Sequence, residues 1–268
     1  MKTNQNIKVI YATDLDRTVI FSKRFLESNK ISITDCLEVE KNGDYSSYAC
    51  KEYLDKIKSI PSNMKFIPVT SRSIAEYSRV ELSKYADYAI VSNGCHILFN
   101  GEILKDYEVY LKENNLITDS FKDTAIKAIK SLTELDKEPR VVDNAYIFAK
   151  VANPEVDIQE KIKQLELEHS NITIQRNGNK IYVTPRLVTK GTALKWLREF
   201  IGASNSVVIG SGDSIMDKPL LDSADIGIVP THGDILRSTE VYESSYMLVK
   251  QGPKGAVDTL KLCIALAR

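Results

Sequence analysis

Short apolar runs recur along the chain, and most of them stop at a polar group. Ile7, Val9, Ile10, Tyr11 and Ala12 form the first run, which ends at Asp14. Phe66-Ile67-Pro68-Val69 ends at Thr70-Ser71-Arg72, and Tyr88-Ala89-Ile90-Val91 ends at Ser92-Asn93-Gly94. Ser206-Val207-Val208-Ile209 runs into Gly210-Ser211-Gly212-Asp213, and Ile226-Gly227-Ile228-Val229 stops at Pro230. Runs this short and this apolar predict buried strands. Between them, residues 48–60, 74–85, 189–201 and 216–223 carry helical spacing. Strands that alternate with helices predict an α/β fold, a doubly wound, Rossmann-like parallel sheet joined by right-handed crossovers. Ligands in such sheets bind beyond the carboxyl ends of the strands. The polar residues at 14, 16, 70, 72, 93 and 213 are therefore expected to share one crevice.

Residues 95–185 interrupt the alternation. They open on a hairpin signal, Ile97-Leu98-Phe99, Asn100-Gly101, then Ile103-Leu104. Helical patterns at 120–135 and 154–169 follow, with strand-like runs at 146–151, 172–175 and 180–184. This segment is expected to be an inserted α+β domain placed to cover the crevice, with 1–94 and 186–268 as the core domain. The alternative is that it extends the main sheet; its preference for hairpins favours insertion. Residues 40–47 are expected to form a surface loop or short hairpin.

Composition narrows the function classes. Lys plus Arg and Asp plus Glu both number 36, so no net field draws the molecule to nucleic acid or to a membrane surface. Cys36, Cys50, Cys95 and Cys263 show no Cys-X-X-Cys and no zinc-ligand spacing, which predicts reduced thiols. The polar start, Met1 to Asn6, and the short apolar run after it do not make a secretory core. No apolar span is long enough to cross a bilayer. A cytoplasmic protein, monomer or homodimer, is expected. His96, His169 and His232 lack triad-like partners in sequence, Trp196 sits at core spacing, and Ile215 occupies the third-glycine place of a would-be dinucleotide fingerprint after Gly210 and Gly212.

The chemistry begins at Asp14-Leu15-Asp16-Arg17-Thr18. Side chains alternate along extended backbone, so carboxylates at 14 and 16 face the same way. Like charges on one face repel unless a shared proton or a cation intervenes. A hard divalent ion such as Mg²⁺, which takes oxygen ligands, is the usual remedy. Gly212-Asp213-Ser214-Ile215-Met216-Asp217 adds two more carboxylates after a buried strand, Thr70 offers a hydroxyl at another strand end, and Lys190 adds a positive charge.

Asp, Thr, Lys and Asp in this order resemble the haloacid dehalogenase-like superfamily of aspartate-nucleophile phosphatases. The family pattern is Asp-X-Asp-X-Thr, a Thr or Ser closing a strand, a Lys, then Gly-Asp-X-X-X-Asp. The large insert between the second and third motifs, with Ser92-Asn93-Gly94 and Thr70-Ser71-Arg72, is similar to the sucrose-phosphatase and Cof-like branch. The resemblance implies hydrolysis of a small phosphorylated metabolite, a sugar or polyol phosphate, through an aspartyl-phosphate. It makes Asp14 the nucleophile and Asp16 the acid and base, with Thr70 and Lys190 as catalytic partners. Ser71, Arg72 and Asn93 would bind substrate. Mg²⁺ would be held by Asp14, the carbonyl of Asp16 and Asp213, with Asp217 farther out. Two other readings remain open: a phosphotransferase or mutase using the same intermediate, and a non-catalytic sensor of phosphorylated ligands.

Arg17 departs from the family, which usually has Gly there, and Ser71 and Met216 are milder departures. Either Arg17 takes an ordinary backbone conformation with its side chain in solvent, or it reaches into the crevice as an added anion-binding fork.

Overall fold

The computed structural model describes residues 6–43, 45–118, 120–238 and 246–268. Met1 to Gln5, most of the expected polar start, and Asp44, within the expected hairpin, lie outside them. Two compact units are present: residues up to Ile103 together with Lys190–Arg268, and Leu104–Thr189.

A five-stranded parallel sheet forms the first unit. Its order is Met247–Val249, Ile226–Pro230, Val207–Ser211, Val9–Thr13, Met64–Pro68. Val9 to Thr13 is buried throughout, as a strand covered on both faces must be. Tyr11, Ile209 and Ile228 pack on one face with Leu260 and Cys263 of the helix Gly252–Ala267 and Leu54 of the helix Lys51–Ile57. The helix Lys218–Asp222 packs on Val207–Ser211 and against the helix Lys190–Phe200. This helix pair touches closely at Gly191, where an added Cβ would lie 2.0 Å from the carbonyl oxygen of Pro219.

Register decides what happens at the sheet's carboxyl edge. Thr13 stands level with Ser211 on one side and Pro68 on the other. The next residues therefore leave the sheet together: Asp14 beside Gly212, and Val69 leading to Thr70. Asp14 N–H donates to the carbonyl of Ser211 (2.8 Å) and Val69 N–H to that of Thr13 (2.7 Å). A parallel bridge from Val69 to Ile90 joins Tyr88–Val91 beyond this edge.

Several elements differ from the sequence expectation. The hairpin His96–Phe99 and Glu102–Ile103 pairs with Tyr88–Val91 and lies in the first unit, because its ladder bonds run to a core strand. The units consequently divide at 103/104 and 189/190, not at 94/95 and 185/186. Residues 48–50, expected to open a helix, end the strand Tyr45–Cys50, and the helix begins at Lys51. That strand pairs antiparallel with Cys36–Asn42, which is the short hairpin expected over 40–47, and Phe21–Ser22 adds a third strand on its other side. The helix expected over 74–85 breaks into Ile74–Ser78 and a 3₁₀ turn, Glu81–Tyr85.

The second unit is a four-stranded antiparallel sheet, ordered Ile172–Asn177, Lys180–Pro185, Tyr146–Lys150, Arg140–Val142. Ile147, Ala149, Ile174, Ile181 and Val183 pack with Phe121, Ile129 and Leu132 of the helix Phe121–Leu132 and Ile162 of the helix Gln159–Glu168. These side chains alternate along each strand, so they share one face. Phe148 and Tyr182 stand on the other face with their rings 5.4 Å apart, Tyr146 is 6.1 Å from Tyr182, and the Arg140 guanidinium lies 5.1 Å over Phe148. The four cysteines are free. Among the described residues no helix is long and apolar enough to cross a membrane.

Candidate active site

Asp14, Asp213, Asp217 and Lys190 meet at the carboxyl edge of the parallel sheet, and all four are buried. Lys190 opens the helix that Gly191 presses against the Lys218–Asp222 backbone, which fixes where its side chain begins. Its Nζ lies 2.7 Å from Asp14 Oδ1 and 2.5 Å from Asp217 Oδ1. The second oxygen of Asp217 accepts from Asp213 N–H (3.1 Å), Ser214 N–H (2.9 Å) and the Ser214 hydroxyl (2.8 Å). Asp217 thus closes a capping box on its own loop and orients Lys190. Gly212 is required for this, since an added Cβ would sit 2.3 Å from the Asp217 Cβ.

The electrostatics are under-compensated. Burial, the nearby Asp217 carboxylate and Asp16 push Asp14 up to about 7 against the pull of Lys190. Burial, Asp217 and Asp14 hold Asp213 well above the ordinary carboxylate range. Burial would lower Lys190, but Asp14 and Asp217 outweigh it and keep the ammonium above its usual range. One oxygen from each of Asp14, Asp213 and Asp217 lies within 4.8 Å of the others. Asp213 Oδ2 is buried with no hydrogen-bond donor among the described residues. Hard carboxylate oxygens, converging and short of positive charge, suit a hard divalent cation.

Asp16, two residues from Asp14, has a different setting. Its side chain is 44 % exposed, and the Arg72 guanidinium forks onto it through Nε (2.6 Å) and Nη2 (2.8 Å). Arg72 also donates from Nη1 to Glu40 (2.7 Å), whose carboxylate is almost wholly buried on the small antiparallel sheet. Burial opposes the charge of Arg72, yet Asp16 and Glu40 raise its hold on the proton further. Arg72 thus bridges two protein carboxylates, one of them Asp16.

Thr70 is fully buried, and its hydroxyl accepts from Arg72 N–H (3.2 Å). Ser71 is half-buried beside it. Asn93 N–H donates to the Thr70 carbonyl (3.0 Å), and Asn93 holds a left-handed backbone, φ 57°. Its side-chain oxygen is buried without a hydrogen-bond partner among the described residues, and the 92–94 turn packs on the Lys190–Phe200 helix. The Thr18 hydroxyl lies 3.4 Å from Asp14 Oδ2.

Arg17 follows the second expectation in part: its side chain turns to the crevice, but onto protein carboxylates. Its backbone is left-handed, φ 64°, the conformation that makes Gly the easy choice and costs other residues about 1–2 kcal/mol. The guanidinium turns to carboxylates: Nη1 to Asp234 (2.6 Å) and Nε to Asp213 Oδ2 (3.1 Å). His232 Nε2 lies 2.7 Å from the Arg17 carbonyl. Sequence reasoning passed over Glu40, His232 and Asp234. The last two follow the strand Ile226–Pro230, whose carboxyl end was the available signal.

Fold and site together define a class: a parallel α/β core carrying an acidic strand-end centre, with a separate α+β unit inserted into the chain. The model for the haloacid dehalogenase-like hydrolases matches residues 106–231, so this stretch of the chain is similar to that family. Sucrose-phosphatase from Synechocystis, solved with sucrose and phosphate, is similar at 13% identity and TM-score 0.65, over 96% of this chain and 98% of that one. A haloalkanoate-superfamily phosphatase from Bacteroides thetaiotaomicron is similar at 15% identity and TM-score 0.56, over 99% and 98%. The C-terminal domain of trehalose-6-phosphate phosphatase from C. albicans gives 12% identity and TM-score 0.56, over 97% and 93%. No curated protein matches the chain.

Proposed function

We propose that this protein is a Mg²⁺-dependent phosphatase of small phosphate monoesters, sugar or polyol phosphates, acting through an aspartyl-phosphate on Asp14. The observation that carries the reading is the buried Asp14 carboxylate, held by Lys190 on one oxygen beside two further carboxylates that call for a cation.

In the first half-reaction an Asp14 oxygen forms a bond to phosphorus as the bond from phosphorus to the ester oxygen breaks. Asp16 gives its proton to the departing alkoxide. In the second, Asp16 takes a proton from water, the water oxygen bonds to phosphorus, and the Asp14 carboxylate and inorganic phosphate are released. Thr70, the N–H of Ser71 and Lys190 stabilise the charge on the transferring group, which is electrostatic preorganisation. Asp14, the carbonyl of Asp16 and Asp213 would hold Mg²⁺, with Asp217 orienting Lys190 behind them. When bound, the ion supplies charge neutralisation between nucleophile and phosphate. Arg72, anchored by Glu40, keeps Asp16 in place.

The sugar or polyol preference draws on the second unit, where Phe148 and Tyr182, both half-buried, stand on the sheet face away from its helices. Aromatic faces with a polar edge suit a carbohydrate ring. A panel of phosphate esters, assayed for phosphate release with and without Mg²⁺ and with no added acceptor, tests the reading. Release that requires Mg²⁺ and vanishes in a folded Asp14→Asn variant is expected. Full activity of that variant overturns the nucleophile assignment.

A further inference from the structure

The inference concerns Arg17 and rests on the proposed Mg²⁺ site. A residue disfavoured in its backbone conformation is held there from several sides. Arg17 N–H donates to the Ile20 carbonyl (2.7 Å), and the Arg17 carbonyl faces His232 Nε2 (2.7 Å). The guanidinium lies 5.7 Å from the Phe25 ring centroid, and Phe25 in turn packs edge-on against His232 at 4.8 Å. An arginine that merely pointed to solvent would need none of this scaffold, yet its side chain is only one-third exposed.

Its two carboxylate contacts are unequal. The contact to Asp234 is a charge-assisted hydrogen bond at 2.6 Å. The contact to Asp213 is an ion pair at 3.1 Å without hydrogen-bond alignment: Arg17 Nε and Asp213 Oδ2 are both buried with no hydrogen-bond partner among the described residues. Asp213 Oδ2 belongs to the carboxylate a divalent cation would use. A positive charge placed against that atom partly neutralises it and repels a second cation. Asp234, partly exposed and not one of the three clustered carboxylates, keeps the guanidinium nearby when Asp213 is given up.

We propose that Arg17 is a tethered counter-cation: it competes with the divalent ion for Asp213 and is anchored on Asp234. The protein then tolerates three buried carboxylates before metal binds, and binds Mg²⁺ more weakly than it would with glycine at position 17. Losing the Asp234 anchor leaves the guanidinium to Asp213 alone and strengthens the competition.

Calorimetric titration of Mg²⁺ into chelator-stripped protein, with no substrate, measures this directly. Arg17→Gly suits the left-handed backbone and should tighten Mg²⁺ binding by roughly tenfold. Arg17→Asn, which also tolerates that backbone, should do the same and covers the case in which the glycine variant does not fold. Asp234→Asn should weaken binding severalfold in the natural sequence and change it little in the Arg17→Gly background, because the coupling runs through the guanidinium. Equal affinities for wild type and both Arg17 variants, or an Asp234 effect of the same size in both backgrounds, overturn the proposal while leaving the Mg²⁺ site intact. No Mg²⁺ binding by any variant removes the metal reading itself, and this proposal with it.

Discussion

Asp14 and Asp16 come from one five-residue motif and end in opposite environments. Asp14 is buried, leans on a single ammonium and shares its space with two other carboxylates. Asp16 is nearly half exposed and is gripped from behind by a guanidinium. The turn between them makes the difference, since Thr18, Val19 and Ile20 N–H all return to the Leu15 carbonyl and roll Asp16 away from the sheet. Two carboxylates in unlike surroundings can take unlike roles. In the proposed mechanism the buried one forms the bond to phosphorus and the accessible one moves protons.

Exchanging the roles by mutation tests that division most severely. Asp16→Asn keeps the fork's geometry on one oxygen but can neither give nor take a proton. Turnover should fall by roughly 10²–10⁴. A substrate with an acidic leaving group needs no proton in the first step, so the variant should accumulate a phosphoryl group on Asp14, visible in the intact mass. The Asp14→Asn variant should trap none. A variant of Asp16 that turns over at the wild-type rate would erase the distinction between the two carboxylates.

How much of this was readable beforehand follows from distance along the chain. The strand ends at Asp14, Thr70 and Asp213 were legible because each apolar run is local and a parallel sheet brings carboxyl ends together by construction. The Asp213–Asp217 spacing was legible for the same reason, though that Asp217 would brace Lys190 was not. That Arg72 would also meet Asp16 and Glu40 was not legible, because a hairpin expected over 40–47 does not say which side chains it brings to residue 72. Tyr48, Ala49 and Cys50 carry apolar character that fits a helix onset or a strand end equally well, and only pairing with Cys36–Asn42 decides. The left-handed backbone at Arg17 was hidden because nothing in an arginine announces it.

Glu40 sharpens the comparison from the side of Asp16. Its carboxylate meets Arg72 Nη1 at 2.7 Å and Arg79 Nε at 3.5 Å, and accepts from the Ser47 hydroxyl at 3.4 Å. Glu40→Gln keeps the shape and an acceptor but removes the charge that anchors Arg72. The expected loss is about 1–3 kcal/mol in denaturant unfolding and a severalfold drop in kcat with little change in KM. Loss of stability with kcat unmoved would reduce Glu40 to a structural role and detach the small sheet from Asp16.

The smallest effect expected comes from His232, which holds the Arg17 end of the same loop. Its Nδ1 accepts from Gly252 N–H at 3.2 Å, so the ring proton sits on Nε2 and is donated to the Arg17 carbonyl. Burial lowers the imidazole below its ordinary range, with the Arg17 charge adding to this and the Arg17 carbonyl and Asp234 opposing it. Below about pH 6.5 the unfolded chain therefore takes up a proton that the folded protein resists. The contribution is fully present above that pH and is lost as pH falls through the lower folded value. Protonation would also set an N–H against the Gly252 N–H, which removes an acceptor. Replacing His232 by Gln should cost about 0.5–1.5 kcal/mol at neutral pH and flatten the fall in unfolding midpoint between pH 7.5 and 5.5. An unchanged acid slope in that variant would show that the imidazole does not sense pH through this loop, and that Arg17 is held in its left-handed turn by its carboxylates and Phe25 instead.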